Sequence, residues 1–217
     1  MAGFKWAGDR NGQKNALIRD YLIPTATAIE AGEPVDFTQG TGVIVLAHPE
    51  ALDDPILGVA TAVHAASSGT SIEISYSPTA IYKYHASKTY SATGGSTTTI
   101  VDDSLLPATD DFWIGGAVKI ISCAADSSLN NKILRITDST GSTGTLTFAA
   151  QTAALASGDT YQLCLGNHAE NHLGYDLDSD AMNPDFDADG GNVLRFLYAE
   201  PDLMDMYFVF ESHLTVS

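Results

Sequence analysis

The sequence predicts an all-β protein: a barrel-like or sandwich-like domain, a second small β-domain inserted into it, and an extended N-terminal arm. Three observations lead there. Hydrophobic residues make up 44% of the 217-residue chain but only 17% is charged, so the polar remainder is mostly Ser, Thr, Asn and Gly, the vocabulary of strands and turns. Runs of Thr, Val, Ile and Tyr are broken by Gly about every eight to twelve residues, the spacing of sandwiches and barrels. Strong helix formers seldom recur at helical spacing.

Taken in order, residues 1–30 begin with Lys5, Arg10, Lys14 and Arg19 against Asp9 and Asp20. The segment is polar, contains glycine and is weakly periodic, which reads either as an arm that orders on a partner or as a frayed terminus. One short helix is expected near Asn15–Leu22, stopped by Pro24. Strands are then expected at Pro34–Thr38, Gly42–Leu46, Ile56–Val63 and Ser71–Tyr76, the last with Ile72, Ile74 and Tyr76 on one face. Tyr82 and Tyr84 share a face if extended, a pattern that fits packing as well as ligand stacking.

Ser91–Thr99 is a run of small residues that reads as a linker. Beyond it a second set of strands is expected at Ile100–Leu106, Ala117–Ile121, Lys132–Thr137, Gly144–Phe148 and Asp159–Leu163, with Thr137–Gly144 as a hairpin connection. From Gly166 onward eleven acidic residues face Arg195 alone. This tail ends in two apolar strands, Asn192–Tyr198 and Met206–Phe210, which need a sheet to join. The resulting division is 1–30 as arm, 31–87 plus 166–217 as one β-domain, and 88–165 as an insertion.

Ten Lys and Arg against 27 Asp and Glu give a net charge of −17. Such a chain repels nucleic acid and anionic membrane surfaces, so neither is expected as a direct partner. The start has no signal-peptide apolar core and no apolar run reaches the ~18 residues of a spanning helix, so a soluble product made in the cytoplasm is expected. Cys123 and Cys164 lack metal-ligand spacing and read as buried thiols.

The acidic loop offers a candidate for metal binding. Asp185, Asp187 and Asp189 followed by Gly190 reproduce the alternating carboxylates that open a calcium loop. The twelfth position is Phe196 instead of Glu, which excludes an EF-hand and leaves a looser Ca2+ site or a solvated loop. His168 and His172 are four apart, but Glu170 is at the wrong offset for a zinc hydrolase and no third ligand is evident. The other histidines, His48, His64, His85 and His213, read as structural. No nucleophile elbow, S-x-x-K, Walker loop or dinucleotide fingerprint occurs, and no carboxylate pair stands out for glycoside hydrolysis, so an enzyme is not expected.

Two sets of blocks resemble known proteins. Ala31–Thr38 (AGEPVDFT), Pro55–Val63 (PILGVATAV) and Ser71–Tyr76 (SIEISY) resemble the capsid decoration, or cement, proteins of tailed bacteriophages. Ala92–Leu105, Asp111–Ile121, Leu134–Gly141, Gly144–Phe148 and Gly158–Leu163 resemble, in order and spacing, a small β-module that recurs in phage virion proteins. Where members of that group often carry a Gly-rich turn, this chain has Ala124–Asn131 (AADSSLNN), so no binding role is carried onto that loop.

The resemblance implies a non-enzymatic structural protein on the outer capsid surface of the virion. It would bind the major capsid protein as a homo-oligomer, commonly a trimer, and stabilise the shell without a cofactor. Lys5, Trp6, Arg10, Lys14 and Arg19 are the expected capsid-binding residues of the arm, and 88–165 is expected to project outward. A head-fibre base or head-to-tail connector is the alternative within the virion. A calcium-dependent carbohydrate-binding adhesin using Asp185, Asp187 and Asp189 is the alternative of another class.

Overall fold

The structure is a computed structural model, which describes residues 3–12, 17–22, 28–38, 43–46, 56–66, 71–77, 79–104, 110–167, 174–177, 183–186 and 194–210. Strands dominate. In chain order they are β1 (Phe4–Asp9), β2 (Ile18–Leu22), β3 (Pro34–Thr38), β4 (Val43–Leu46), β5 (Ile56–Ala60), β6 (Ser71–Ser75) and β7 (Ala80–His85). There follow β8 (Thr89–Ser91), β9 (Gly94–Gly95), β10 (Thr99–Val101), β11 (Ala117–Ser122), β12 (Ile133–Thr140), β13 (Thr145–Phe148) and β14 (Thr160–Cys164). The last are β15 (Gly174–Leu177), β16 (Pro184–Asp185), β17 (Leu194–Glu200) and β18 (Asp205–Phe210). The all-β class read from composition is what is observed. Among the described residues no helix is long and apolar enough to cross a membrane.

The strands form three antiparallel sheets. The first is ordered β1-β7-β18-β17-β15-β16, so the tail strands return to β7 and lie beside the first strand of the chain. Its buried face is aromatic because the period of two puts Phe4, Tyr82, Tyr84, Phe196, Phe208 and Phe210 on one side. Phe4 lies 5.4 Å from both Tyr84 and Phe210, ring centre to ring centre. Contacts of this kind add to the stabilisation from burial itself.

The second sheet is ordered β8-β14-β11-β12-β13-β10-β9. Its end strands β8 and β9 belong to one continuous stretch of chain: Ala92 N donates to Asp159 O on the β14 side, and Thr93 N donates to Val101 O on the β10 side. The stretch 89–95 thus bridges the two edges and closes the sheet into a barrel, which removes exposed edges. Inside it, the Tyr161 hydroxyl donates to buried Asp102 at 2.8 Å, and Ser104 donates to the other Asp102 oxygen through N and Oγ. A buried carboxylate is tolerable when its lone pairs are filled in this way.

One hydrophobic cluster runs from the first sheet into the barrel. The two are tied by Ala86 N to Met204 O, the Cys164 thiol to Asp205 O, and Asn167 exchanging two bonds with Ala199. The third sheet, β2-β6-β5-β3-β4, has its own small core of Ile29, Val35, Leu57, Ala60, Ile72 and Ile74. Tyr76 packs on that cluster as the alternation of Ile72, Ile74 and Tyr76 predicts.

Three expectations are corrected. The N-terminal segment is no free arm: β1 is a full strand against β7, and Phe4 is 1% exposed. Its aromatic side chain buries more apolar area in the sheet than an isolated arm can hide. Ile18–Leu22 is a strand paired residue by residue with β6, not the end of a helix, because the ladder and β-branched Ile18 outweigh weak helix propensity. Ser91–Thr99 is no linker, since it supplies the closing strands of the barrel. A side chain on Gly95 would lie 2.6 Å from Thr99 O, so its glycine serves close approach and not flexibility.

Candidate functional site

Alternation along β7 sets the site. With Tyr82 and Tyr84 in the core, Lys83 and His85 must point to the opposite face of the sheet. On that face cross-strand register builds two rows. Lys5, Lys83, Tyr207 and Tyr198 stand opposite one another across β1, β7, β18 and β17. His85, Asp205 and Glu200 form the next row.

Asp205 is the centre of charge. Its carboxylate accepts from Lys83 Nζ at 3.2 Å and meets His85 Nδ1 at 2.8 Å, and its side chain is only 10% exposed. Lys5 lines the same depression of about 310 Å³, together with Gly3, Lys83, His85 and Asp205. Among the described residues Lys5 has no anionic partner. The depression therefore holds two ammonium groups and a histidine against one carboxylate, a cationic surplus in a chain of net charge −17.

Beside it Tyr198 and Tyr207 stack with ring centres 4.3 Å apart and planes 15° from parallel. The Tyr207 hydroxyl donates to Glu200 at 2.9 Å. Partial burial, and then the bond to and charge of Glu200, push that phenol above the usual tyrosine value. Tyr198 keeps 43% of its surface exposed.

Lys5 also borders a second depression of about 220 Å³, between β1 and β5. Here the lining is mostly apolar, with Phe4, Trp6, Val59 and Ala60 beside Thr61 and Ser75. The cleft is held open by backbone bonds from Phe4 N to Gly32 O and from Gly32 N to Ala60 O. Ser75 is 3% exposed, and among the described residues its Oγ has no hydrogen-bond partner. A buried hydroxyl left unpaired costs about 1–3 kcal/mol.

Of the expected arm residues, the fold brings Lys5 and Trp6 together at this site. Arg10 lies past the far end of β1, with its N bonded to Thr79 O, and Arg19 on β2 sits over the Tyr76 ring at 5.7 Å. Lys14 lies outside the described residues. Of the calcium candidates, Asp185 is opposite Asp176 in the β15–β16 pair, while Asp187 and Asp189 lie outside the described residues, as do His168 and His172. Among the described residues no three His, Cys, Asp or Glu side chains gather as a metal would require. Cys123 and Cys164 are buried and unpaired, and burial, with the charge of Asp205, raises the Cys164 thiol out of its reactive range.

Reasoning from the sequence missed Lys83, His85, Asp205 and Ser75. The alternation Tyr82-Lys-Tyr-His85 carried a signal for two of them, since two buried tyrosines force the intervening polar residues outward. Asp205 is 120 residues away from His85, and nothing local marks it. The arrangement can bind an anion at Lys5 and Lys83 and an apolar group in the adjoining cleft. Compared with known proteins, the chain matches no protein-family model, no curated protein and no solved structure.

Proposed function

We propose that the chain is a structural protein of a tailed-bacteriophage virion, which seats on the outer surface of the assembled capsid and stabilises the shell as a decoration protein. The observation that supports this most is the face around Lys5, where a strongly acidic chain gathers scarce cations beside an apolar cleft. Such a face suits docking on a protein lattice more than on a polyanion. The ordered virion-like blocks of residues 92–163 give further support, as they make up the closed barrel that shares the core of the docking sheet. A rigid body of this kind loses little entropy on binding. Copies bind as trimers at local threefold positions with the barrel outward, and shell stability follows by mass action, because the protein binds the assembled lattice and not the free subunit.

The test is co-sedimentation of the purified full chain with assembled shells that lack it. Saturable pelleting at threefold stoichiometry over the whole shell, with a rise in shell melting temperature, is expected. Six or twelve copies per particle would instead make it a connector at one vertex, and no pelleting would remove the virion reading.

A further inference from the structure

We propose that the two depressions flanking Lys5 form one composite site for an extended acidic segment of a partner protein, with an apolar side chain in the Trp6 cleft and the neighbouring carboxylate on Lys5. Two observations converge on this occupant, the uncompensated charge of Lys5 and the apolar cleft beside it. Lys5 is exposed, stands directly opposite Lys83, and has no anion of its own among the described residues. Asp205 already serves Lys83 and His85, so a carboxylate from outside completes the charge balance of the depression. The adjoining cleft of about 220 Å³ holds an aliphatic side chain but lacks room for a folded element.

In an extended segment successive side chains diverge to opposite sides. An apolar residue directly before an acidic one therefore reaches both depressions while the backbone passes over Lys5. The apolar cleft favours a protein segment over nucleic acid, whose phosphates bring no apolar side chain. The inference deepens the docking reading and rests on it only for which protein carries the segment.

The experiment uses the full chain in solution and a blocked tetrapeptide, acetyl-Gly-Leu-Asp-Gly-amide, read by tryptophan fluorescence. Trp6 lines the cleft, whereas Trp113 is 2% exposed and serves as an internal constant. A saturable change that is absent in Trp6→Phe is expected, weakened about tenfold when Asp is replaced by Asn in the peptide or when Lys5→Glu is used, the loss of one charge-assisted bond. Circular dichroism confirms that the Trp6→Phe and Lys5→Glu variants keep the fold. No saturable change, an Asn peptide that binds as well as the Asp peptide, or acetate alone competing at the peptide's own concentration would each overturn the composite site. Peptide binding without shell pelleting would sink the capsid reading and leave this site standing.

Discussion

Lys5 and Lys83 face each other across the β1–β7 ladder, and Asp205 is bonded to Lys83 alone of the two. Like charges directly opposite on antiparallel strands are destabilising, so this protein keeps an unfavourable pair at the place where its anion-binding depression lies. Function is the usual reason for such a local conflict.

Lys5→Glu separates the two roles. It turns a like pair into an opposite pair at an exposed position, so the fold should gain a few tenths of a kcal/mol. Docking should fall at the same time. Urea unfolding together with shell co-sedimentation checks both, and a variant that is more stable and still pellets like the parent would remove Lys5 from the interface.

Phe4 places the N-terminal strand within the fold. Its ring touches Tyr84, Phe208 and Phe210, so Phe4→Ala should cost about 3–5 kcal/mol. Thermal unfolding of the isolated protein reads this directly, and a change below about 0.5 kcal/mol would restore the picture of an arm ordered only by a partner. Truncating residues 1–22 would thus test folding, not docking.

The strands that the sequence made legible are those whose own pattern decides them. Pro34–Thr38 has the observed bounds, and Thr137–Gly144 does contain the hairpin turn, with Gly144 at φ +57° where a side chain would strike Asp102 O. The missed strands depend on distant partners. Phe4–Asp9 looks polar until Phe4 meets β7 and β18, and the Ser91–Thr99 stretch looks like a linker until β10 and β14 lie on either side of it. The site was half legible for the same reason: charge marked Lys5 and aromatic character marked Trp6, but Asp205 reaches His85 and Lys83 only through the return of the tail to β7.

Asp205→Asn tests that return. The carboxylate is nearly buried and is bonded to Lys83 and His85, both of which keep partial access to water, so the loss should be about 1–2 kcal/mol, not the cost of a fully buried pair. Denaturant unfolding at neutral pH checks it. Because the depression becomes more cationic, affinity for the acidic peptide should rise, and a fall would show that Asp205 positions Lys83 for the ligand instead of competing with it.

The alkaline limb of stability follows from the buried tyrosines. Burial raises the phenols of Tyr82 and Tyr175 above their ordinary value, and burial followed by the charge of and bond to Asp102 does the same for Tyr161. The folded state keeps protons that the unfolded chain releases near pH 10. The stability held by these groups is thus complete below about pH 10 and is lost as pH rises beyond it. Melting temperature should be flat through pH 9 and then fall steeply, by an amount that reports how many phenols are held. Tyr161→Phe removes one of them and also leaves an Asp102 oxygen without its donor. It should therefore melt lower at pH 7, by about 1–3 kcal/mol of stability, yet show a shallower alkaline fall than the parent. A parallel fall in the two proteins would mean that the Tyr161 phenol does not titrate on unfolding, and the barrel interior would have to be less dry than its hydrogen bonds indicate.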